Sequence, residues 1–122
     1  MKRKRTTEDY LKTIFVLNSQ TGVRGSEIAK SMKVSRSTVS VALKALEQEG
    51  YVRMDGHHLF YLTERGLKIA RETYERNRFF QELLMALGVE RETAERDACE
   101  LEHSVSPESF LAIREALDGR RG

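Results

Sequence analysis

Apolar residues recur every three or four positions through most of the chain, which is the spacing of an amphipathic helix. In the first such run, Thr6 and Thr7 precede two acidic residues, and the apolar series begins at Tyr10. Hydroxyl and acidic residues at this place are typical of a helix N-terminus. The pattern therefore predicts a first helix that runs to about Ser19, with a turn at Gly22.

Two shorter helices are predicted after this turn. The first begins at Gly25, and the second begins at Ser35, whose hydroxyl suits an N-cap. The second of these helices should end at Gly50, because glycine is the preferred residue just beyond a helix C-terminus. The residues expected to face inward are Ile28, Ala29, Met32, Val39, Ala42, Leu43 and Leu46.

The spacing of apolar residues is no longer helical between residues 51 and 62, where two short β-prone runs flank Asp55-Gly56. An Asp-Gly pair between such runs is a strong short-range signal for a β-hairpin. Helix, short helix, turn, helix and hairpin is the order of a winged helix-turn-helix. We therefore predict that residues 1–63 form a winged helix-turn-helix DNA-binding domain.

Helical spacing returns after the hairpin. Thr63 is expected to cap a long helix that reaches about Leu87, and a further helix is predicted over residues 91–103. Pro107 opens a last helix, which should end at Gly119. The predicted fold class is thus mainly α, with the winged helix-turn-helix followed by a helical region at residues 64–122.

The formal net charge of +2 is unevenly distributed along the chain. Residues 1–62 carry 11 Lys and Arg against 6 Asp and Glu, whereas residues 63–122 carry 10 against 13. A basic first half suits contact with a polyanion, and an acidic second half suits a regulatory or dimerising region. Asymmetries of this size are also common in proteins without such roles.

No apolar run is long enough to span a bilayer, and no apolar segment follows the basic N-terminus as it would in a secretory signal. The single cysteine, Cys99, excludes an intramolecular disulfide. We therefore expect a cytoplasmic protein with no membrane partner.

The third predicted helix is the one expected to enter the major groove of double-stranded DNA. The candidates for DNA contact are Ser35, Arg36, Ser37, Thr38 and Ser40 of this helix and Arg53 of the wing, which is the predicted hairpin at residues 51–62. Arg36 has the bidentate geometry that can read guanine, and residues 2–5 could act as a basic arm. Ser35 has an equally good structural role as an N-cap.

Cys99, Glu102 and His103 lie at positions i, i+3 and i+4 of a predicted helix, so they share one face. Thiolate, carboxylate and imidazole are all ligands for divalent transition metals. By spacing alone the signal is modest, because charged helices often contain Glu and His, and a lone cysteine is often a small buried hydrophobe.

The chain as a whole resembles the DtxR/MntR family of iron- and manganese-dependent repressors. The resemblance is carried by residues 6–15, by the winged helix-turn-helix and by residues 98–103, and it covers about residues 6–118. It implies that the first helix and the helix bearing Cys99 together build a metal site. The ligands it implies are Asp9, Cys99, Glu102 and His103.

This ligand set combines two subtypes of the family. Asp9 is the manganese-type residue at its position, Cys99 is the iron-type residue, and Glu102 and His103 match both. The resemblance therefore implies Mn(II) or Fe(II), with Zn(II) as a third possibility. Lys12 replaces a carboxylate ligand of a second ion and Asn77 replaces a histidine ligand, so we expect one ion per subunit. The SH3-like third domain of longer members is expected to be absent.

A homodimer that binds a palindromic operator is expected, with residues 64–122 as the metal-binding and dimerisation domain. The apolar stripe Phe79, Phe80, Leu83, Leu84 and Leu87 is either part of the dimer interface or simply core. The leading hypothesis is a metal-dependent repressor of metal-ion homeostasis rather than an enzyme. Three alternatives stay open: a metal-independent winged-helix regulator, a metalloenzyme with a catalytic zinc at Cys99, Glu102 and His103, and a protein-interaction module.

Overall fold

The computed structural model describes residues 5–17 and 20–121. Most of the predicted basic arm at residues 2–5 lies outside this part of the chain, as does the predicted end of the first helix near Ser19. The helices are α1 Arg5–Val16, α2 Gly25–Met32, α3 Arg36–Gln48, α4 Glu64–Ala86, α5 Arg91–Ser104 and α6 Pro107–Arg121. The strands are β1 Val23–Arg24, β2 Val52–Met54 and β3 Leu59–Leu62.

The chain forms two compact units, residues 1–73 and residues 74–122. Helix α4 begins in the first unit and ends in the second. Within the described residues, no helix combines the length and the apolar character that crossing a bilayer requires.

The core of the first unit joins α1, α2 and α3. Leu11 and Ile14 of α1, Ile28 of α2, and Val39 and Leu43 of α3 are almost fully buried in one cluster. The inward positions predicted for α2 and α3 are confirmed, with Met32 and Ala42 only partly buried at the edge of the cluster. Because α1 and α3 share this core, the first helix and the predicted recognition helix belong to one packed body.

The predicted hairpin is confirmed, with β2 and β3 antiparallel and Val52 opposite Leu62. Its turn differs from the usual Asp-Gly form, because the left-handed residue is His58, with φ 61°, and not Gly56. The Oδ1 atom of Asp55 accepts hydrogen bonds from the backbone N–H groups of His57 at 2.8 Å and Leu59 at 3.0 Å. The aspartate side chain therefore organises the turn.

Strand β1 was not expected from the sequence. It has two residues and pairs antiparallel with β3, with Val23 opposite Phe60, so the sheet order is β1-β3-β2. Gly22 precedes it with φ +82°, and a Cβ atom there would lie 2.8 Å from the Cβ atom of Leu59. Glycine is thus required both for the backbone conformation and for the close approach of β1 to β3.

The second unit has its own aromatic core. Phe80 of α4, Ala98 of α5 and Phe110 of α6 are buried together, and the Phe79 ring meets the Phe110 ring edge to face at 5.2 Å. Phe79 and Phe80 therefore belong to the core, whereas Leu87 is 73% exposed. The predicted end of the last helix at Gly119 is wrong, because α6 continues to Arg121. A glycine is tolerated in a last helical turn.

Candidate functional site

A cluster of hydroxyl groups begins helix α3. Ser35 is the N-cap, and its Oγ atom accepts a hydrogen bond from the backbone N–H of Thr38 at 3.1 Å. The same Oγ atom lies 2.8 Å from the Thr38 hydroxyl and 3.1 Å from the Ser37 hydroxyl. The capping role of Ser35 is confirmed. All three residues are exposed, so the cluster is open to a ligand at the start of the helix.

The groove beside α3 is basic. A cavity of about 480 Å³ lies between α3 and the sheet and is lined by apolar residues that include Val39 and Phe60. Its polar lining includes Arg24, Ser26, Arg36, Ser40, Lys44, Glu47 and His58. Phosphate groups of nucleic acid are the natural partners of such a groove.

Two of these basic residues were missed by the sequence reasoning. Lys44 follows Arg36 and Ser40 at intervals of four residues, so helical spacing alone would have placed it on the same face. Arg24 lies in β1, a strand too short to give any periodic signal, and no local pattern points to it.

The wing holds Arg53 against an aromatic ring. The guanidinium carbon of Arg53 lies 4.3 Å from the ring centroid of Tyr61, whose hydroxyl donates to Oδ2 of Asp55 at 3.1 Å. Hydrogen bonds from the backbone N–H groups of Leu59 and His57 and from Tyr61 lower the pKa of Asp55. The carboxylate of Asp55 in turn raises the pKa of Tyr61. The charged Asp55 therefore stabilises the turn of the wing, next to the strand that carries Arg53.

The predicted ligand triplet lies on α5, as expected. Glu102 is 1% exposed and His103 is 6% exposed, although half of the residues of α5 are exposed. The Nε2 atom of His103 lies 3.5 Å from Oε1 of Glu102, and Cys99 is half-buried one turn earlier. Burying a carboxylate is costly unless hydrogen bonds or a cation compensate for the lost water. The carboxylate of Glu102 and the imidazole of His103 suit a divalent metal ion, whereas Cys99 is not among the residues whose donor atoms the structure brings within 4.8 Å of theirs.

Cys99 also contacts α4. The Nδ2 atom of Asn77, a buried residue, donates to the Sγ atom of Cys99 at 3.7 Å. The Oδ1 atom of Asn77 accepts from Nε2 of Gln81 at 2.7 Å. Asn77, at whose position the family resemblance implies a histidine ligand, is thus engaged with the sulfur and with a neighbouring amide.

Asp9 lies on α1, in the first unit, and is about one-third exposed. The Nε atom of Arg5 lies 4.0 Å from its Oδ2 atom, and the Thr13 hydroxyl donates to its backbone carbonyl at 2.8 Å. Cys99, Glu102 and His103 belong to the second unit. Each ligand candidate is in the helix predicted for it, and the convergence of all four on one ion stays a prediction.

Family comparison covers nearly the whole chain. Residues 3–58 match the N-terminal DNA-binding domain of iron-dependent repressors, and residues 63–121 match their metal-binding and dimerisation domain. The chain belongs to the iron-dependent repressor family. This confirms the family and the fold class predicted from the sequence. The protein is a metal-dependent, DNA-binding transcriptional regulator, and members of this family act as regulators rather than enzymes.

Individual relatives are also transcriptional regulators. The transcriptional regulator MntR of Escherichia coli is 36% identical over 113 residues, which are 92% of this chain and 73% of the relative. The HTH-type regulator MntR of Geobacillus kaustophilus is 30% identical over 100 residues, which are 81% of this chain and 71% of the relative.

Solved structures of such regulators have the same fold. The manganese regulator SloR is 31% identical with a TM-score of 0.80, over 92% of this chain and 53% of that chain. A manganese-dependent repressor in complex with manganese is 30% identical with a TM-score of 0.81, over 92% of this chain and 52% of that chain. The chain spans about half the length of these solved chains.

Proposed function

We propose that this protein is a repressor of metal-ion homeostasis genes, with a divalent metal ion as its co-repressor. The observation that carries the proposal is the nearly complete burial of Glu102 and His103, side by side and one turn from Cys99. These residues lie in the part of the chain that matches a metal-binding and dimerisation domain. We infer one ion per subunit, with Mn(II) or Fe(II) favoured over Zn(II).

The residues that would hold the ion are Asp9, Cys99, Glu102 and His103. Carboxylate oxygens suit Mn(II), imidazole suits Fe(II) and Zn(II), and a thiolate adds a softer donor. When bound, the ion supplies positive charge that offsets the carboxylates of Asp9 and Glu102. Relatives named for manganese support the choice of Mn(II), and the iron-dependent family description supports Fe(II).

Metal binding would be linked to DNA binding through α1. Asp9 lies on this helix, and Leu11 and Ile14 of the same helix pack in one core with Val39 and Leu43 of α3. A ligand on α1 is therefore attached to the body that carries the recognition helix. Because Glu102 and His103 lie on α5, an ion that needs both helices favours one arrangement of the protein over others.

The DNA-contacting surface would consist of the α3 N-terminus, the groove beside it and the wing. We assign base reading to Arg36 and Ser40, and phosphate contact to the hydroxyl cluster at Ser35, Ser37 and Thr38 and to Arg53. The basic lining of the groove supports contact between this surface and DNA.

A homodimer would place two such surfaces on a palindromic operator. We propose residues 1–63 as the functional DNA-binding domain and residues 64–122 as the metal-binding and dimerisation domain. The protein would act in the cytoplasm, where chromosomal DNA is found, and it would carry out no catalysis.

The test is operator binding, measured by fluorescence anisotropy with Mn(II), with Fe(II) under anaerobic conditions, with Zn(II) and with chelator. We expect His103→Ala and Glu102→Gln to lose the metal response while keeping the apo protein's weak binding. Asp97→Asn is the control, because Asp97 is an exposed carboxylate on the same helix. Operator affinity that is the same with every ion and with chelator would replace this proposal with a metal-independent regulator.

A further inference from the structure

Two amides on α4 form a hydrogen-bonded chain that ends at the sulfur of Cys99. Gln81 and Asn77 are one helical turn apart, and Nε2 of Gln81 donates to Oδ1 of Asn77 at 2.7 Å. Nδ2 of Asn77 then donates to Sγ of Cys99 at 3.7 Å. Asn77 is only 7% exposed, so this contact is largely shielded from water.

The orientation of the Asn77 amide decides what it can do. Because its oxygen accepts from Gln81, its NH₂ group is the part that faces the sulfur. A side chain held in this way supplies a donor to Cys99 and does not supply an oxygen lone pair to an ion bound there. The family resemblance implies a histidine ligand at this position, and Asn77 instead contacts the sulfur of a neighbouring ligand candidate.

We propose that Asn77 is a positioning residue of the metal centre, which holds the Cys99 sulfur in place as a ligand while Gln81 fixes the orientation of Asn77. The consequence is that this contact raises the affinity for thiophilic divalent ions, Fe(II), Co(II) and Zn(II), more than the affinity for Mn(II). This inference rests on the proposed function, because it requires Cys99 to be a ligand.

The different effect on the two kinds of ion follows from their preferences for sulfur or oxygen donors. Mn(II) forms the weakest complexes in the first-row series and is best satisfied by oxygen donors, whereas Fe(II), Co(II) and Zn(II) gain more from nitrogen and sulfur. Groups that orient a ligand through a hydrogen bond commonly change metal affinity about 10–100-fold when removed. Loss of the Asn77 contact should therefore weaken a sulfur-bound ion more than one bound mainly through the carboxylates.

The experiment compares the full chain with Asn77→Leu and Gln81→Leu. Glu82→Gln is the control, because Glu82 is an exposed residue of the same helix. Two quantities are measured: the thiolate-to-metal charge-transfer absorption of the Co(II) form, and the affinities for Zn(II) and Mn(II) by competition with a chelating dye. Circular dichroism and thermal unfolding check that each variant is folded.

We expect Asn77→Leu to shift or weaken the Co(II) charge-transfer band and to lower Zn(II) affinity about 10–100-fold. Mn(II) affinity should change less than about threefold, because its bonds to oxygen donors are retained. Gln81→Leu should act in the same direction with a smaller effect, and Glu82→Gln should have none. If Asn77→Leu does not fold, Gln81→Leu decides the question alone.

The outcomes separate this inference from the proposed function. An unchanged band and an unchanged ratio of Zn(II) to Mn(II) affinity overturn the positioning role but leave the metal site intact. Equal losses for both ions also overturn it, since they indicate a general structural effect. If the unsubstituted protein shows no charge-transfer band, and Cys99→Ser binds metal equally well, then Cys99 is not a ligand. In that case both the inference and the proposed ligand set are wrong.

Discussion

At the scale of single residues, the wing depends on the charge of Asp55. Three donors converge on its carboxylate, and the resulting hydrogen bonds lower its pKa, the bond from the Leu59 N–H being the largest cause. A carboxyl group with a depressed pKa in the folded state stabilises the fold above its unfolded pKa of about 3.9. That contribution is lost as the pH falls through the folded pKa.

This predicts a pH-dependent difference between the unsubstituted protein and Asp55→Asn. The amide keeps the shape of the side chain but has no charge, so the variant should be less stable above pH about 4. The difference in free energy of unfolding, measured by denaturant titration, should shrink as the pH is lowered further. A difference that stays constant across this acidic range would contradict the role given to the carboxylate.

Arg36 supports a second prediction at this scale. It lines the groove beside α3, and Arg36→Ala should reduce discrimination of the operator from unrelated DNA by about 1–3 kcal/mol if the side chain reads a base. Arg53→Ala, by contrast, should weaken binding to every sequence and reduce the salt dependence, as expected for a phosphate contact. Binding of Arg36→Ala to all sequences at the affinity of the unsubstituted protein would exclude base reading.

At the scale of elements, the sequence predicted the helices and the hairpin, because residues close together in the chain determine them. The helix α3 follows from Ser35 at its start and from inward residues such as Val39 and Leu43, and the hairpin follows from Asp55-Gly56. Strand β1 could not be predicted, because its two residues are extended only through pairing with β3, more than 30 residues later in the chain.

The candidate site, too, could be predicted from the sequence only in part. Helical spacing was sufficient to place Cys99, Glu102 and His103 on one helix, and the family resemblance added Asp9. The contact between Asn77 and Cys99 joins residues 22 positions apart through side chains. Sequence reasoning identified Asn77 only as a missing ligand, because the orientation of its amide depends on packing in three dimensions.

The short strand β1 gives a stability prediction. Gly22→Ala should destabilise the first unit by about 1–3 kcal/mol, because alanine would be strained at positive φ and its Cβ atom would meet Leu59. Gly56→Ala is the matched control, since Gly56 has open space around it. Thermal unfolding of the two variants tests this, and equal unfolding temperatures would show that the approach of β1 to β3 is not tightly constrained.

At the scale of the whole molecule, we predict the number of ions bound per subunit. The family resemblance implies a carboxylate ligand of a second ion at the position of Lys12, where this chain has a positive charge, and Asn77 is engaged with Cys99. Calorimetric titration should therefore give one tightly bound divalent ion per subunit. Two tight ions per subunit would refute the account of Lys12 and Asn77.

The most direct test of the central claim is a metal titration of the full protein with and without operator DNA. If the ion is a co-repressor, linkage requires that DNA tighten metal binding by the same factor by which metal tightens DNA binding. We expect such a matched increase with operator and a loss of it in His103→Ala. Equal metal affinity in the presence and absence of operator would contradict metal-dependent repression by this protein.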